Sequence, residues 1–335
     1  MRLRRWAAAG ACAGLALPIA PAHADATTIC TVTDPRISEG SGLVAVADGY
    51  RIVNDGGDQV VVYRLDASCA LTGTTTAAVD PYDVEDLAIG PDGTLWLADI
   101  GDNNAWRSTV AVIAVPDQPG AVPAVLRRLQ YPDGPHDAES MIVDDAGRAV
   151  IMTKTFSGLV AIYRSEPLDR STSASPDPQP LGKIGEIQIQ QTGTPGGPIG
   201  PPLNNLMATG AARCGAAVAL RTYTDAYVWR GADPAEAITA TSAAVVALPA
   251  QAQGESIAFT PDCGSLVVHG EGLSVPIELV LAPAASTSDE NAPEAAGADV
   301  QRRKEQDART RTLLFLGGGL VLAVALAAVG LRRRR

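Results

Sequence analysis

One sequence pattern occurs four times along the chain, and each copy predicts the same β-hairpin. Each copy has a glutamate, a short apolar stretch, a turn rich in Gly, Pro or Asp, and a second apolar stretch. The copies begin at Glu39, Glu85, Glu139 and Glu255. A repeated hairpin at this spacing is typical of a β-propeller, in which four-stranded blades surround a central axis. The pattern therefore predicts an all-β propeller.

The strands between these hairpins predict five blades. A degenerate fourth blade lacks the glutamate and begins near Met207, and the last blade has only three strands before the chain becomes polar. Residues 27–33 are a spare apolar segment, so we expect this N-terminal strand to complete blade five and close the ring, which removes open sheet edges. Six blades are the alternative, if residues 188–205 contain further strands.

The two ends of the chain predict export and membrane anchoring. Residues 1–24 have a basic start, an apolar stretch and an Ala-x-Ala end, the pattern of a signal peptide; an uncleaved anchor is the alternative. Residues 313–331 carry no charge and are long enough to span a bilayer, and four arginines follow at 332–335. We expect a single-pass type I protein of the cell membrane, with a propeller at 25–283 outside the cell, a flexible stalk at 284–312 and a cytoplasmic basic tail.

Charge and cysteine content narrow the partners and the compartment. The net charge is −11, which argues against nucleic acid as a partner, because phosphate binding needs a basic surface. Four cysteines follow the signal peptide, and an even number in an exported domain favours two disulfides over metal ligation. Three pairings are possible, and the predicted blade register favours Cys30–Cys69 and Cys214–Cys263.

The repeated glutamates are expected to converge on the axis, because the first strand of each blade lines it. Polar residues follow at the inner ends of the second strands: Asn54, Asp99, Lys154 and His269, with Arg221 in blade four. In one interpretation, a hard cation such as Ca²⁺ binds to an axial ring of oxygen ligands, namely Glu39, Glu85, Glu139, Glu255 and Asp99. The candidate catalytic residues Lys154, Arg221 and His269 would then position an anionic substrate. In the other interpretation, Lys154 and Arg221 neutralise a purely structural ring.

Recognisable catalytic motifs are absent from the sequence. Residues 99–104 are rich in oxygen-bearing side chains but lack the distal glutamate of an EF-hand. The His136-Asp137 pair is more typical of a turn cap than of a catalytic dyad. No nucleophile elbow, zinc-protease helix motif or phosphate-binding glycine loop occurs.

Several segments resemble those of exported propeller proteins of actinobacteria. The resemblance lies in Val84-Glu85-Asp86-Leu87-Ala88, in Asp99-Ile100-Gly101-Asp102-Asn103, in Tyr131-Pro132-Asp133-Gly134 and in Gly254-Glu255-Ser256-Ile257. It implies a propeller fold and export, and no particular activity. More broadly, the blade pattern is similar to those of NHL, SMP-30-like and phytase-like propellers, some of which bind calcium on the axis and hydrolyse esters or phosphoesters.

The sequence therefore leads to two functional hypotheses. The first is a membrane-anchored extracellular propeller that acts as a binding or scaffold module for an extracellular ligand or protein. The alternative is a calcium-dependent ester or phosphoester hydrolase with its site on the propeller axis.

Overall fold

The computed structural model describes residues 26–169 and 177–283, which form five mainly antiparallel sheets around one axis. An N-terminal strand, β1 (Thr27–Val32), comes first. Blade 1 contains β2 (Gly40–Val46), β3 (Gly49–Asn54), β4 (Val60–Leu65) and β5 (Leu71–Ala77). Blade 2 contains β6 (Val84–Ile89), β7 (Leu95–Asp99), β8 (Val110–Val115) and β10 (Val125–Gln130), with the short β9 (Gly120–Ala121) before β10.

The other three blades repeat this order. Blade 3 contains β11 (Ala138–Val143), β12 (Ala149–Thr153), β13 (Leu159–Arg164) and β15 (Gly182–Gln188), with β14 (Gln179–Pro180) before β15. Blade 4 follows the helix α1 (Leu203–Leu206) and contains β16 (Ala208–Cys214), β17 (Ala217–Thr222), β18 (Asp225–Arg230) and β19 (Ala244–Ala247), with α2 (Pro234–Ala240) before β19. Blade 5 contains β20 (Gly254–Phe259), β21 (Ser265–Gly270) and β22 (Val275–Leu281).

Ring closure is as predicted from the sequence. β1 pairs antiparallel with β22 and supplies the fourth strand of blade 5. The all-β, five-blade propeller is therefore confirmed, and residues 189–202, where a sixth blade was the alternative, contain no strand.

The core consists of apolar layers between neighbouring blades. Strands such as β8, β11 and β12 are buried along their whole length, because each blade packs against another blade on both of its faces. This explains why these strands have continuous apolar runs instead of the alternation of a half-exposed sheet.

The segment before the fourth strand of a blade reaches back to the outer strand of the preceding blade. β9 pairs with β5 of blade 1, and β14 pairs with β10 of blade 2. Helix α2 packs beside β15 of blade 3, with Thr239 against Gly185. In blade 1 the segment before the fourth strand, β5, contains Cys69, which forms a disulfide with Cys30 on β1. Outer strands are thus covered rather than left as open edges.

The two disulfides are the pairs that the blade register predicts. Cys30–Cys69 joins blade 5 to blade 1, and Cys214–Cys263 joins the first turns of blades 4 and 5. Both therefore connect neighbouring blades instead of strands within one blade.

The described residues include no helix long and apolar enough to cross a membrane. The predicted signal peptide (1–24), stalk (284–312), spanning helix (313–331) and basic tail (332–335) lie outside the described residues. Export and anchoring therefore stay predictions.

Candidate functional site

A bulge at the same place in all five inner strands builds the axial site. The pairing of the first two strands skips one residue near the start of β2, β6, β11, β16 and β20. The skipped residues are Ser41, Glu85, Glu139, Thr209 and Glu255. Bulges often re-aim a side chain at a functional site. Here they bring Glu85, Glu139 and Glu255, each at most 6 % exposed, into one acidic group.

Glu39 does not occupy the bulge position, although it is the first member of the sequence repeat. It lies before β2, is exposed, and its carbonyl accepts a hydrogen bond from the backbone of Asp55. Its structural counterpart in blade 2 is Asp83, whose carbonyl accepts the N–H of Gly101. The sequence repeat and the structural repeat therefore differ by two residues in blade 1.

The residues just after the second strands form the next layer of the site. In blades 1 to 5 these are Asp55, Ile100, Lys154, Tyr223 and Glu271. Ile100 is buried in the apolar core. The other four residues, together with Asp83 and the three bulge glutamates, surround a recess at one end of the axis, which we call the axial recess. The recess contains six carboxyl groups and one cation. The carboxyl groups repel one another electrostatically.

Lys154 is the cation of the axial recess. Its Nζ forms an ion pair with Glu139 and donates a hydrogen bond to Tyr223 Oη at 3.1 Å. Burial opposes the charge of Lys154, but the carboxylate of Glu139 outweighs it and raises the lysine pKa above its ordinary value. For Tyr223, burial itself raises the pKa of the phenol, to about 12. Neither group is a base at neutral pH.

Glu255 and Glu271 form a carboxyl pair on the opposite side of the recess. Burial, the charge of Glu139 and a hydrogen bond with Glu271 raise the pKa of Glu255 well above its ordinary value. Gln253 Nε2 donates a hydrogen bond to Glu271. Glu255 therefore holds its proton more tightly than an ordinary glutamic acid.

Three carboxylates of the recess converge without a protein partner. One oxygen each of Asp55, Asp83 and Glu85 lies within 4.8 Å of the other two. Among the described residues, no side-chain ion pair or hydrogen bond engages these three groups. Gly101 makes the approach possible, because a Cβ at that position would collide with the carboxylates of Asp83 and Glu85. Burial raises the pKa of all three acids, that of Asp55 to about 6.

Asp99, predicted from the sequence to belong to the axial ring, lies beside this group with its carboxylate already engaged. Its Oδ1 accepts hydrogen bonds from Arg107 at 2.8 Å and from the backbone N–H of Asp83 at 3.0 Å. Asp102 of the same loop accepts the backbone N–H groups of Trp106 and Arg107. The loop after β7 is therefore held by its own acidic residues.

Arg221 and His269 lie one residue before the strand ends and are fully buried between blades. Arg221 donates hydrogen bonds to the carbonyls of Ser256 and His269 and to Gln251. His269 Nδ1 lies 3.2 Å from the carbonyl of Pro276, and burial lowers the histidine pKa to about 4. The structure thus brings Lys154 to the axial recess and places the other two candidate catalytic residues in blade packing.

Asp86 forms the floor of the recess. Its carboxylate is completely buried and accepts backbone N–H bonds from Leu87, from Met141 of blade 3 and from Ala211 of blade 4. Burial raises the pKa of Asp86 to about 8, although its three donors favour the ionised form. Residues further along the inner strands, among them Leu87, Met141 and Ala211, line a mostly apolar cavity of about 120 Å³.

The raised pKa of Asp55 leads to a testable pH dependence. A carboxyl group whose pKa is about 6 in the folded state and 3.8 as its ordinary value binds protons more strongly when folded. Its contribution to the free energy of unfolding therefore falls as the pH rises through this window. In the presence of chelator, we expect the stability of Asp55→Asn relative to wild type to increase as the pH rises from about 4 to about 6.

Thermal melting of the two proteins across this range measures the difference. Asp58→Asn, an exposed change in the same loop, is the matched control and should show no such trend. A stability difference for Asp55→Asn that is constant with pH, or that moves in the opposite direction, would contradict the assignment.

No protein-family model and no curated protein sequence matches the chain. Its structure is similar to solved β-propellers. Glutaminyl cyclase from Myxococcus xanthus gives a TM-score of 0.46 at 14% identity, over 78% of this chain and 100% of that one. The gluconolactonase XC5397 from Xanthomonas campestris gives 0.41 at 12%, over 75% and 89%. The WD40 repeats of RRP9 give 0.38 at 12%, over 76% and 79%. The five-bladed architecture itself rests on the strand pairing described above.

Proposed function

We propose that this chain is a membrane-anchored extracellular binding module whose axial recess binds a hard divalent cation such as Ca²⁺. The observation that carries the proposal is the convergence of Asp55, Asp83 and Glu85 within 4.8 Å, with no ion pair to any of the three among the described residues. Carboxylate oxygens are the ligands that Ca²⁺ prefers. The three carboxylates repel one another, and burial adds to the cost of their charges. A bound cation would offset both effects.

Glu85 supports the cation proposal independently of the acidic composition. Its side chain is only 4 % exposed, and no described residue donates a hydrogen bond to its carboxylate. A buried carboxylate without a partner is costly. Gly101 leaves room for the carboxylates of Glu85 and Asp83 to lie side by side. A bound cation would neutralise this buried pair.

The state of Lys154 and Tyr223 favours binding over acid–base catalysis. Both have raised pKa values, so both carry their protons at neutral pH and act as hydrogen-bond donors. A cation at the three carboxylates, with Lys154 beside it, would attract an anionic group of a ligand. The two disulfides support a location outside the cytosol, where such bonds persist.

A melting experiment with calcium and with chelator tests the proposal. At a free Ca²⁺ concentration of roughly 100 times the dissociation constant, we expect about 2.7 kcal/mol of added stability. Glu85→Gln should abolish this gain because it removes a ligand charge, and Asp58→Asn should retain it. Elemental analysis of the dialysed protein measures the bound metal directly. Equal melting temperatures in calcium and in chelator, with no bound metal, would refute the cation site.

A hydrolase is the second candidate function, and the Glu255–Glu271 pair favours it. The raised pKa of Glu255 keeps its carboxyl group protonated at neutral pH, so it can act as a general acid, next to a cation that polarises an ester or phosphoester. Turnover of such substrates that depends on calcium and is lost in Glu255→Gln would establish this function. Binding of calcium without turnover leaves the binding module as the function.

A further inference from the structure

We propose that a groove beside the axial recess binds an acidic saccharide. Tyr82 and Trp106 line this groove, and its polar wall includes Asp80, Arg107 and Arg128. The volume of the groove is about 520 Å³, within the range of small-ligand sites. It lies on the blade 2 side of the recess, where Asp99 lines the groove and its hydrogen-bonded neighbour Asp83 belongs to the recess.

The two aromatic side chains are exposed to an unusual degree. Tyr82 is 71% exposed and Trp106 is 79% exposed. Large aromatic residues that remain exposed next to one another commonly mark interaction sites. The apolar face of a sugar ring stacks on such side chains, while their polar atoms remain available for hydrogen bonds.

The Tyr82 ring and the backbone of Trp106 are held in place before any ligand binds. The Arg107 guanidinium lies 4.5 Å from the centroid of the Tyr82 ring, and it is itself fixed by Asp99 and by the carbonyl of Gly101. The backbone N–H of Trp106 donates to Asp102 at 2.9 Å. Preorganisation of this kind lowers the entropy cost of binding.

The polar residues of the groove match a saccharide that carries carboxylates. Asp80 supplies acceptors, and Ser108 and Thr109 supply hydroxyl groups, so both donors and acceptors are available for sugar hydroxyls. Arg128 is exposed and has no ion pair among the described residues, whereas Arg107 is neutralised by Asp99. A free guanidinium is suited to bind a carboxylate.

The sheet edges next to the groove argue against a peptide that binds as an added strand. β9 pairs with Thr75 and Thr76 of β5, the outer strand of blade 1, and β14 pairs with Leu129 and Gln130 of β10, the outer strand of blade 2. Strand addition requires a continuous unpaired edge, and these pairs shorten both edges. The available surface is therefore the aromatic and polar groove itself.

Tryptophan fluorescence of the full chain in detergent micelles tests the proposal. Trp96 and Trp229 are 3% and 4% exposed, so the difference in acrylamide quenching between wild type and Trp106→Phe reports on Trp106. We expect an oligogalacturonate to shield Trp106 from acrylamide. Chelator in every sample separates this result from the cation proposal, because the groove does not use Asp55 or Glu85.

Calorimetric titrations of variants assign the contacts. For oligogalacturonate, we expect Trp106→Ala to weaken binding by about tenfold or more. Arg128→Gln should weaken binding of the acidic saccharide and leave that of a neutral cello-oligosaccharide unchanged. Phe156→Ala removes another exposed aromatic residue, 66% exposed and in a loop of blade 3, and should have no effect.

Three results would overturn the proposal. The first is quenching of Trp106 that neither saccharide changes. The second is protection of Trp106 by a proline-rich peptide and not by saccharides. The third is an equal loss of affinity in Phe156→Ala and Trp106→Ala, which would show that binding is not specific to the groove.

Discussion

Replacing Asp86 with alanine is expected to lower the free energy of unfolding by about 3–5 kcal/mol. The substitution leaves the N–H groups of Leu87, Met141 and Ala211 buried without an acceptor. These donors belong to blades 2, 3 and 4, so one side chain connects three of the five blades at the axis. Chemical denaturation monitored by circular dichroism measures the loss.

Ser140→Ala is the matched control for Asp86→Ala. Ser140 occupies the same position in blade 3 and is equally buried, but its hydroxyl has no hydrogen-bond partner among the described residues. We expect Ser140→Ala to be close to neutral. Equal effects of the two substitutions would show that position on the axis, and not the bonds of Asp86, determines stability.

Replacing Cys30 with serine is expected to destabilise the propeller by about 4 kcal/mol in the chain-entropy description of disulfides. The bond closes a loop of 39 residues. It also holds β1, whose one strand partner among the described residues is β22. We therefore expect β1 to become the most readily cleaved part of the ring in limited proteolysis.

Cys214→Ser separates the two effects. Its bond closes a loop of similar length, 49 residues, so the expected loss of stability is also about 4 kcal/mol. Since this bond lies between blades 4 and 5 and does not hold β1, cleavage near the N-terminus should stay at the wild-type level. Faster cleavage there in both variants would mean that the ring opens as a whole.

Most blade strands could be predicted from the sequence because a β-hairpin is a local structure. Apolar runs and the turns between them are enough to locate strands such as β17, β18 and β20. The edge pairs β9 and β14 contain two residues each and depend on a neighbouring blade, so no local pattern shows them. Helix α2 did carry a local signal, with Asp233 as N-cap and Pro234 at its first turn.

The axial site could be predicted only in part. Glu85, Glu139 and Glu255 were found because the bulges fall at the same step of the repeat. Glu39 was aligned with them, although Ser41 holds that position, because Glu39 also precedes an apolar run and lies where blade 2 has Asp83. Asp83 was missed because its approach to Glu85 depends on Gly101, which follows β7 of the same blade.

Ring closure by β1 also determines the order in which the chain can be completed. β1 is synthesised first, but its partner β22 ends at Leu281, so the first strand stays without a pairing edge until nearly the whole propeller has been made. Cys69 is available much earlier, and the Cys30–Cys69 bond can hold β1 against blade 1 in the meantime. A Cys30–Cys69 bond formed at that stage would substitute for a neighbouring strand that does not yet exist.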